Sequence, residues 1–261
     1  MIGFLRAVSP HLEKCELTHV ARGKIDVRLA RKQHDGYGDA LRELGVQVER
    51  VPPLPEQADG VFIEDTAVLL PEVSIVARPG AGSRMAEIDS VIRALRRHRP
   101  LQSIAGTGTL DGGDVLRIEG TIYVAESPRT NANGIAQLRE ITAAFGYEVR
   151  TVTTRNCLHL KTACTFIPPH FLVANPAWID VAAFGNLAIV SVDETEPMGA
   201  NTLTLGRATL VSGTFPKTEK RLREAGISTR RVDISEFEKA EGGLTCLSLI
   251  LETRAPSAPL S

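Results

Sequence analysis

A thiol near the C-terminus, in Glu241-Gly242-Gly243-Leu244-Thr245-Cys246-Leu247-Ser248-Leu249-Ile250, sits behind two glycines and ahead of an apolar, strand-like run. Glycines let a backbone bend or approach a ligand closely, so Cys246 can be aimed into a cavity from the mouth of a strand. Taken alone it also reads as a buried small hydrophobe, and a nucleophile needs a base and a carboxylate from elsewhere in the chain. His159 supplies an imidazole that titrates near neutrality, and Asp111 a carboxylate to orient it. Each alone has a plainer reading: a hydrogen-bonded structural histidine, and a turn aspartate beside Gly112-Gly113. Asp59, Glu64, Asp65 and Asp111 add several acids, which repel one another at one centre unless a cation sits there. The Cys and His spacings give no metal pattern, so the expected cation is a substrate. A guanidinium suits, because its planar fork of N–H donors pairs with carboxylates two bonds at a time. It would also favour the reactive thiolate of Cys246. Arg84 and Arg129 are placed to hold the carboxylate of an amino-acid substrate, or are surface arginines.

These residues must be gathered by repeated elements. Val61–Leu70, a turn at Pro71-Glu72, Val73–Pro79 and the helically spaced Glu87–Leu95 read strand, turn, strand, loop, helix. Leu110–Ile118, Glu119-Gly120, Thr121–Ala125 and Ile135–Ile141 repeat that order. His159–Ile167 with Phe171–Ala174, and Asn201–Leu205 with Ala208–Ser212 and the helical Thr218–Ala225, form a third and a fourth copy. A fifth copy begins at Cys246 and runs out of chain after one strand; Gly3–Val8 at the other end can supply its partner. A period of roughly 40–50 residues points to a propeller or solenoid. Closing five copies into a ring removes free sheet edges, and a helix in every copy makes it an α/β fold, a five-bladed αβ propeller. An open α/β sheet is the plainer alternative. In the ring, the polar strand starts at Glu64, Asp65, Asp111, Asp114, His159, Asn201 and Cys246 converge on one centre.

Composition narrows the function classes. The chain has 261 residues, 43% of them hydrophobic, and a net charge of −1 without a basic stripe, so no nucleic-acid partner is expected. The basic run Arg93, Arg96, Arg97, His98, Arg99 suits the end of a helix. No apolar run reaches membrane-spanning length, and Met1–Arg6 lacks the apolar core of a signal peptide. Four cysteines without paired C-x-x-C spacing point to reduced thiols in a cytoplasm. Cys15, Cys157 and Cys164 lack the glycine frame of Cys246 and read as packing or lid residues. We expect one catalytic domain over residues 1–254 and a flexible tail over 255–261. Oligomeric state is left open, a homodimer included.

Phe62-Ile63-Glu64-Asp65, Ala77-Arg78-Pro79-Gly80-Ala81 with Ser83-Arg84, Leu110-Asp111-Gly112-Gly113-Asp114, Arg129-Thr130-Asn131, Leu158-His159-Leu160-Lys161 and Glu241–Cys246 together resemble the dimethylarginine dimethylaminohydrolases of the guanidine-modifying (pentein) superfamily. The resemblance runs from about Arg6 to about Leu251. It implies a five-bladed αβ propeller without a cofactor that hydrolyses asymmetric dimethylarginine or monomethylarginine to citrulline and a methylamine. It implies that Cys246 attacks the guanidinium carbon to form a covalent thiouronium, that His159 protonates the departing amine and then activates water, and that Asp111 orients His159 and shares the guanidinium. It carries Glu64 and Asp65 over as the other guanidinium ligands. Asp59, Arg84 and Arg129 carry over to the amino and carboxylate ends, the backbone of Ala240 to the amine, and Leu17 to a mobile lid. One departure stands out: Glu241 occupies a position where the family usually has Asp. Two alternatives remain, an arginine deiminase or amidinotransferase on another guanidine, and a non-catalytic binding protein of the same ring fold.

Overall fold

The computed structural model describes residues 1–253; the tail expected over 255–261 lies outside the described residues. The chain begins with β1 (Ile2–Leu5), α1 (Val27–Glu43) and β2 (Gln47–Arg50), where β2 lies parallel to β1. A sheet of β3 (Ala67–Leu69), β4 (Ser74–Val76) and β5 (Leu101–Ser103) follows, with α2 (Ile88–Leu95) crossing from β4 to β5. The third unit has β6 (Val115–Ile118), β7 (Thr121–Ala125), α3 (Ala132–Ala143) and β8 (Glu148–Val152). The single turn α4 (Leu160–Ala163) leads into β9 (Cys164–Ile167), β10 (Phe171–Ala174) and β11 (Ala188–Ser191). Then come β12 (Leu203–Leu205), β13 (Ala208–Ser212), α5 (Pro216–Glu224), β14 (Thr229–Val232), the single turn α6 (Ser235–Glu238) and β15 (Leu249–Leu251).

Every sheet has the same design. A hairpin pairs the first two strands antiparallel, and a crossover sets the third parallel to the second, which demands a connection long enough for a helix. The fifth sheet is shared by the chain ends: β15 pairs antiparallel with β1 at Ile2↔Leu251 and Phe4↔Leu249. All five first strands line one central cavity, through Val68, Leu116, Thr165, Thr204 and Ile250 among others. That is the five-unit α/β arrangement expected from the repeats.

Two details differ from the expectation. The crossover from β10 to β11 carries only a 3-10 turn, Val181–Phe184, so one unit lacks its helix. That connection is shorter than the crossovers that carry α2, α3 and α5. Ile179 and Phe184 cover the sheet there instead. The polar strand starts also prove not to be strand. Ile63–Thr66, Gly112–Asp114, Leu160–Ala163 and Thr245–Leu247 are single helical turns placed just before β3, β6, β9 and β15. A pleated strand would alternate its side chains between faces. Here a tight turn carries Glu64 and Asp65, and each has its own partner, Lys161 for Glu64 and Arg84 for Asp65. Among the described residues no helix is long and apolar enough to cross a membrane.

Candidate active site

The turn Thr245–Leu247 is braced on three sides. Asn201 accepts from the Thr245 N–H (3.0 Å) and donates to Thr245 Oγ1 (3.1 Å) and to the Lys161 carbonyl (2.9 Å). Thr245 Oγ1 donates to Glu64 Oε2 at 2.6 Å. From outside, the Tyr37 hydroxyl on α1 donates to the Leu244 carbonyl (3.0 Å). The glycine frame has a packing reason rather than a conformational one: a Cβ on Gly243 would overlap the Asn201 amide. So Asn201, one of the converging polar residues, is a brace for the cysteine turn. The Gly243 N–H donates to Cys246 Sγ at 3.4 Å, a contact that favours the thiolate.

His159 lies at the head of α4, opposite the turn Gly112–Asp114. Its Nε2 is 3.2 Å from Asp111 Oδ2; its Nδ1 is 3.7 Å from Asp65 Oδ1, beyond hydrogen-bond range. Any Cβ at Gly113 would stand 2.7 Å from that Nδ1, so only glycine lets the ring seat here. Asp114 accepts from the Leu160 N–H at 3.1 Å and fixes the start of α4.

Cys246 opens onto a narrow cleft. Its lining includes Cys246, His159 and Asp65 together with Asp59, Arg84, Arg129 and Ala240. Seven of the ten expected site residues therefore line one cavity. Three do not. Asp111 is fully buried behind His159, its carboxylate accepting from the Gly80 N–H and lying 3.2 Å from the ring, and it is not among the residues that line the cleft. Asp65 is the carboxylate that faces the cleft. Glu64 turns the other way, into the central cavity, where Lys161 Nζ holds it at 2.7 Å. Leu17 packs against the apolar cluster of Leu12, Phe62 and Phe237, and its neighbour Glu16 lines the cleft in its place. Arg84 lines the cleft but is already bonded to Asp65 (2.5 Å) and Glu87 (2.9 Å), which makes it a brace for Asp65.

Sequence reasoning missed Glu16, Glu87 and Lys161. Lys161 stands in the Leu158–Lys161 motif, so the signal was present; Glu16 carries none, because Asp59, Ser83 and Arg129 lie far along the chain, and Glu87 stands three residues from Arg84, a spacing that reads as an ordinary local ion pair. Asp65, Asp111 and His159 also offer three ligand atoms within 4.8 Å of one another, a spacing a metal ion could use. Their partners already satisfy them: Arg84 on Asp65, and His159 on Asp111.

The electrostatics are those of a site awaiting a cation. Burial, together with the carboxylates of Glu64 and Asp65, pushes the Cys246 thiol up to about 12. Burial alone would lower His159, but Asp65, Asp114 and Asp111 outweigh it and lift its pKa to about 10. Burial lifts the carboxyl of Asp59 to about 6 against the pull of Arg84. At neutral pH these shifts favour a protonated thiol on Cys246 and an imidazolium on His159.

No protein-family model matches the chain. It is 39% identical over 249 residues to the N(G),N(G)-dimethylarginine dimethylaminohydrolase of Streptomyces coelicolor, covering 95% of each chain. The chain belongs to the dimethylarginine dimethylaminohydrolase family. Two solved members of that family superpose with a TM-score of 0.90 at 29% identity, over 95% of this chain. One is the Pseudomonas aeruginosa enzyme, as a Cys→Ser variant complexed with citrulline, covered to 97%. The other is a His→Gly variant as an adduct with S-methyl-L-thiocitrulline, covered to 98%. A dimethylarginine dimethylaminohydrolase fold thus carries the Cys246, His159 and Asp111 arrangement.

Proposed function

We propose that the chain hydrolyses Nω-methylated L-arginine to L-citrulline and di- or monomethylamine. The observation that carries this reading is that one cleft is lined by both sets of groups, the thiol of Cys246, the imidazolium of His159 and the carboxylate of Asp65 together with Asp59, Ala240 and Arg129. A guanidinium suits the first set, and the α-ammonium and α-carboxylate of an amino acid the second.

The guanidinium pairs with Asp65 and places a positive charge beside Cys246. Its field opposes the burial that keeps the thiol protonated, so substrate binding itself lowers the thiol pKa and the thiol loses its proton to solvent, His159 already carrying one. The thiolate attacks the guanidinium carbon. His159 gives its proton to the departing dimethylamine nitrogen as the C–N bond breaks, which leaves a thiouronium on Cys246. Water then adds to that carbon while the neutral imidazole takes its proton, the C–S bond breaks, and citrulline leaves. Asp111 holds the ring through Nε2 and keeps the imidazolium favourable throughout. Asp59 and the Ala240 carbonyl receive the α-ammonium, and Arg129 the α-carboxylate.

The site draws on residues from Asp59 to Cys246, and one sheet joins both chain ends; both features support a single catalytic domain. The four free cysteines fit a reducing cytoplasm. The test is a direct assay of asymmetric dimethylarginine beside arginine. Citrulline with release of dimethylamine supports the reading; citrulline from arginine alone would overturn it in favour of a deiminase.

A further inference from the structure

Glu16 already occupies the groups assigned to the amino-acid end of the substrate. Its backbone N–H donates to both carboxylate oxygens of Asp59 at 3.2 Å, where an α-ammonium is to bind. Its own carboxylate pairs with Arg129 Nη2 at 3.0 Å, where an α-carboxylate is to bind, and accepts from the Ser83 hydroxyl. One residue of the chain therefore presents an N–H donor and a carboxylate to the same two partners that a free amino acid would use. The segment is anchored further on, where the N–H groups of Thr18, His19 and Val20 all donate to the Glu241 carboxylate.

Glu16 is also the partition between two spaces. It lines the catalytic cleft and, together with Asp59 and Arg84, an outer recess shared with His11, Lys14 and Glu56. Its side chain is 41% exposed while that of Arg129 is 14% exposed, so Glu16 has room to swing outward and Arg129 does not.

We propose that Glu16 is an internal stand-in for the amino-acid end of the substrate, and that it sets specificity by competition. A guest that offers both an ammonium and a carboxylate replaces both of its bonds at once. A guanidine without the carboxylate leaves Glu16 on Arg129 and gains nothing there. The competition also weakens the apparent affinity of the true substrate, because part of its binding free energy is spent displacing the chain's own ligand.

This inference rests on the substrate reading above, and one experiment separates the two. Steady-state kinetics of the unaltered protein, Glu16→Gln and Glu16→Asp are measured with asymmetric dimethylarginine and with its decarboxylated analogue, dimethylagmatine; melting temperatures check folding. Absence of turnover by the unaltered protein strikes at the substrate reading. With turnover present, Glu16→Gln is expected to lower KM for dimethylarginine by about three- to tenfold and to leave KM for dimethylagmatine within about twofold. Glu16→Asp, which keeps the charge, falls between. A folded Glu16→Gln protein whose KM for dimethylarginine is unchanged or raised overturns the proposal, as does an equal fall for both substrates.

Discussion

Two regions meet at the cleft and are held in opposite ways. The ring of turns under Cys246 and His159 is built from buried groups that bond one another: Asp111 to the imidazole, Arg84 to Asp65 and Glu87, Asn201 and Glu64 to Thr245. The Glu16–Val20 segment contributes one carboxylate and a few backbone N–H groups, and its anchors, Asp59, Arg129 and Glu241, are themselves cleft residues. A catalytic constellation must be fixed before substrate arrives, whereas the group that covers it must let go. The first region should therefore set kcat, and the second KM and access.

His159→Asn tests the ring most severely: kcat is expected to fall by roughly a hundred- to ten-thousandfold, because acid and base are lost together. If KM shifts and kcat does not, His159 belongs to binding. Asn201→Ala should do less. It leaves the buried Thr245 N–H without its partner, at a cost of about 1–3 kcal/mol in denaturant unfolding, with a parallel loss of kcat as the cysteine turn loosens. The binding end should respond to pH. Asp59 is uncharged below about 6, so 1/KM is expected to rise as pH increases through that value, and Asp59→Asn should flatten the rise. On the alkaline side kcat/KM should decline as His159 loses its proton through about 10. The smallest effect belongs to the cover: Glu241→Gln removes the charge that three N–H groups share. Amide exchange at Thr18, His19 and Val20 should then accelerate by about tenfold while the sheets keep their protection.

The two regions were unequally legible in the sequence. Repeats spaced along the chain revealed the five units, their shared terminal sheet and the convergence of Cys246, His159 and Asp65, because each copy writes the same strand pattern beside its polar residue. The same pattern did not show which way adjacent acids point. Glu64 and Asp65 read alike, yet one serves Lys161 in the central cavity and the other faces the cleft. Nor could it separate Asp111 from the cleft, which depends on how deeply the ring of His159 covers it. The covering segment was the least legible: Leu17 was expected over the site and packs, half-buried, on the cluster that includes Phe62, Ala240 and Cys246, while its unforeseen neighbour Glu16 lines the cleft. Glu241, noted only as a departure, gains meaning from bonds to Thr18 and its neighbours, far away in the chain.

The most direct test is mass spectrometry of the protein quenched during turnover of asymmetric dimethylarginine. The account predicts an adduct on the peptide carrying Cys246, consistent with loss of dimethylamine, and none in a Cys246→Ser variant that no longer forms citrulline. Undiminished citrulline formation by Cys246→Ser, or an adduct confined to another residue, would contradict it.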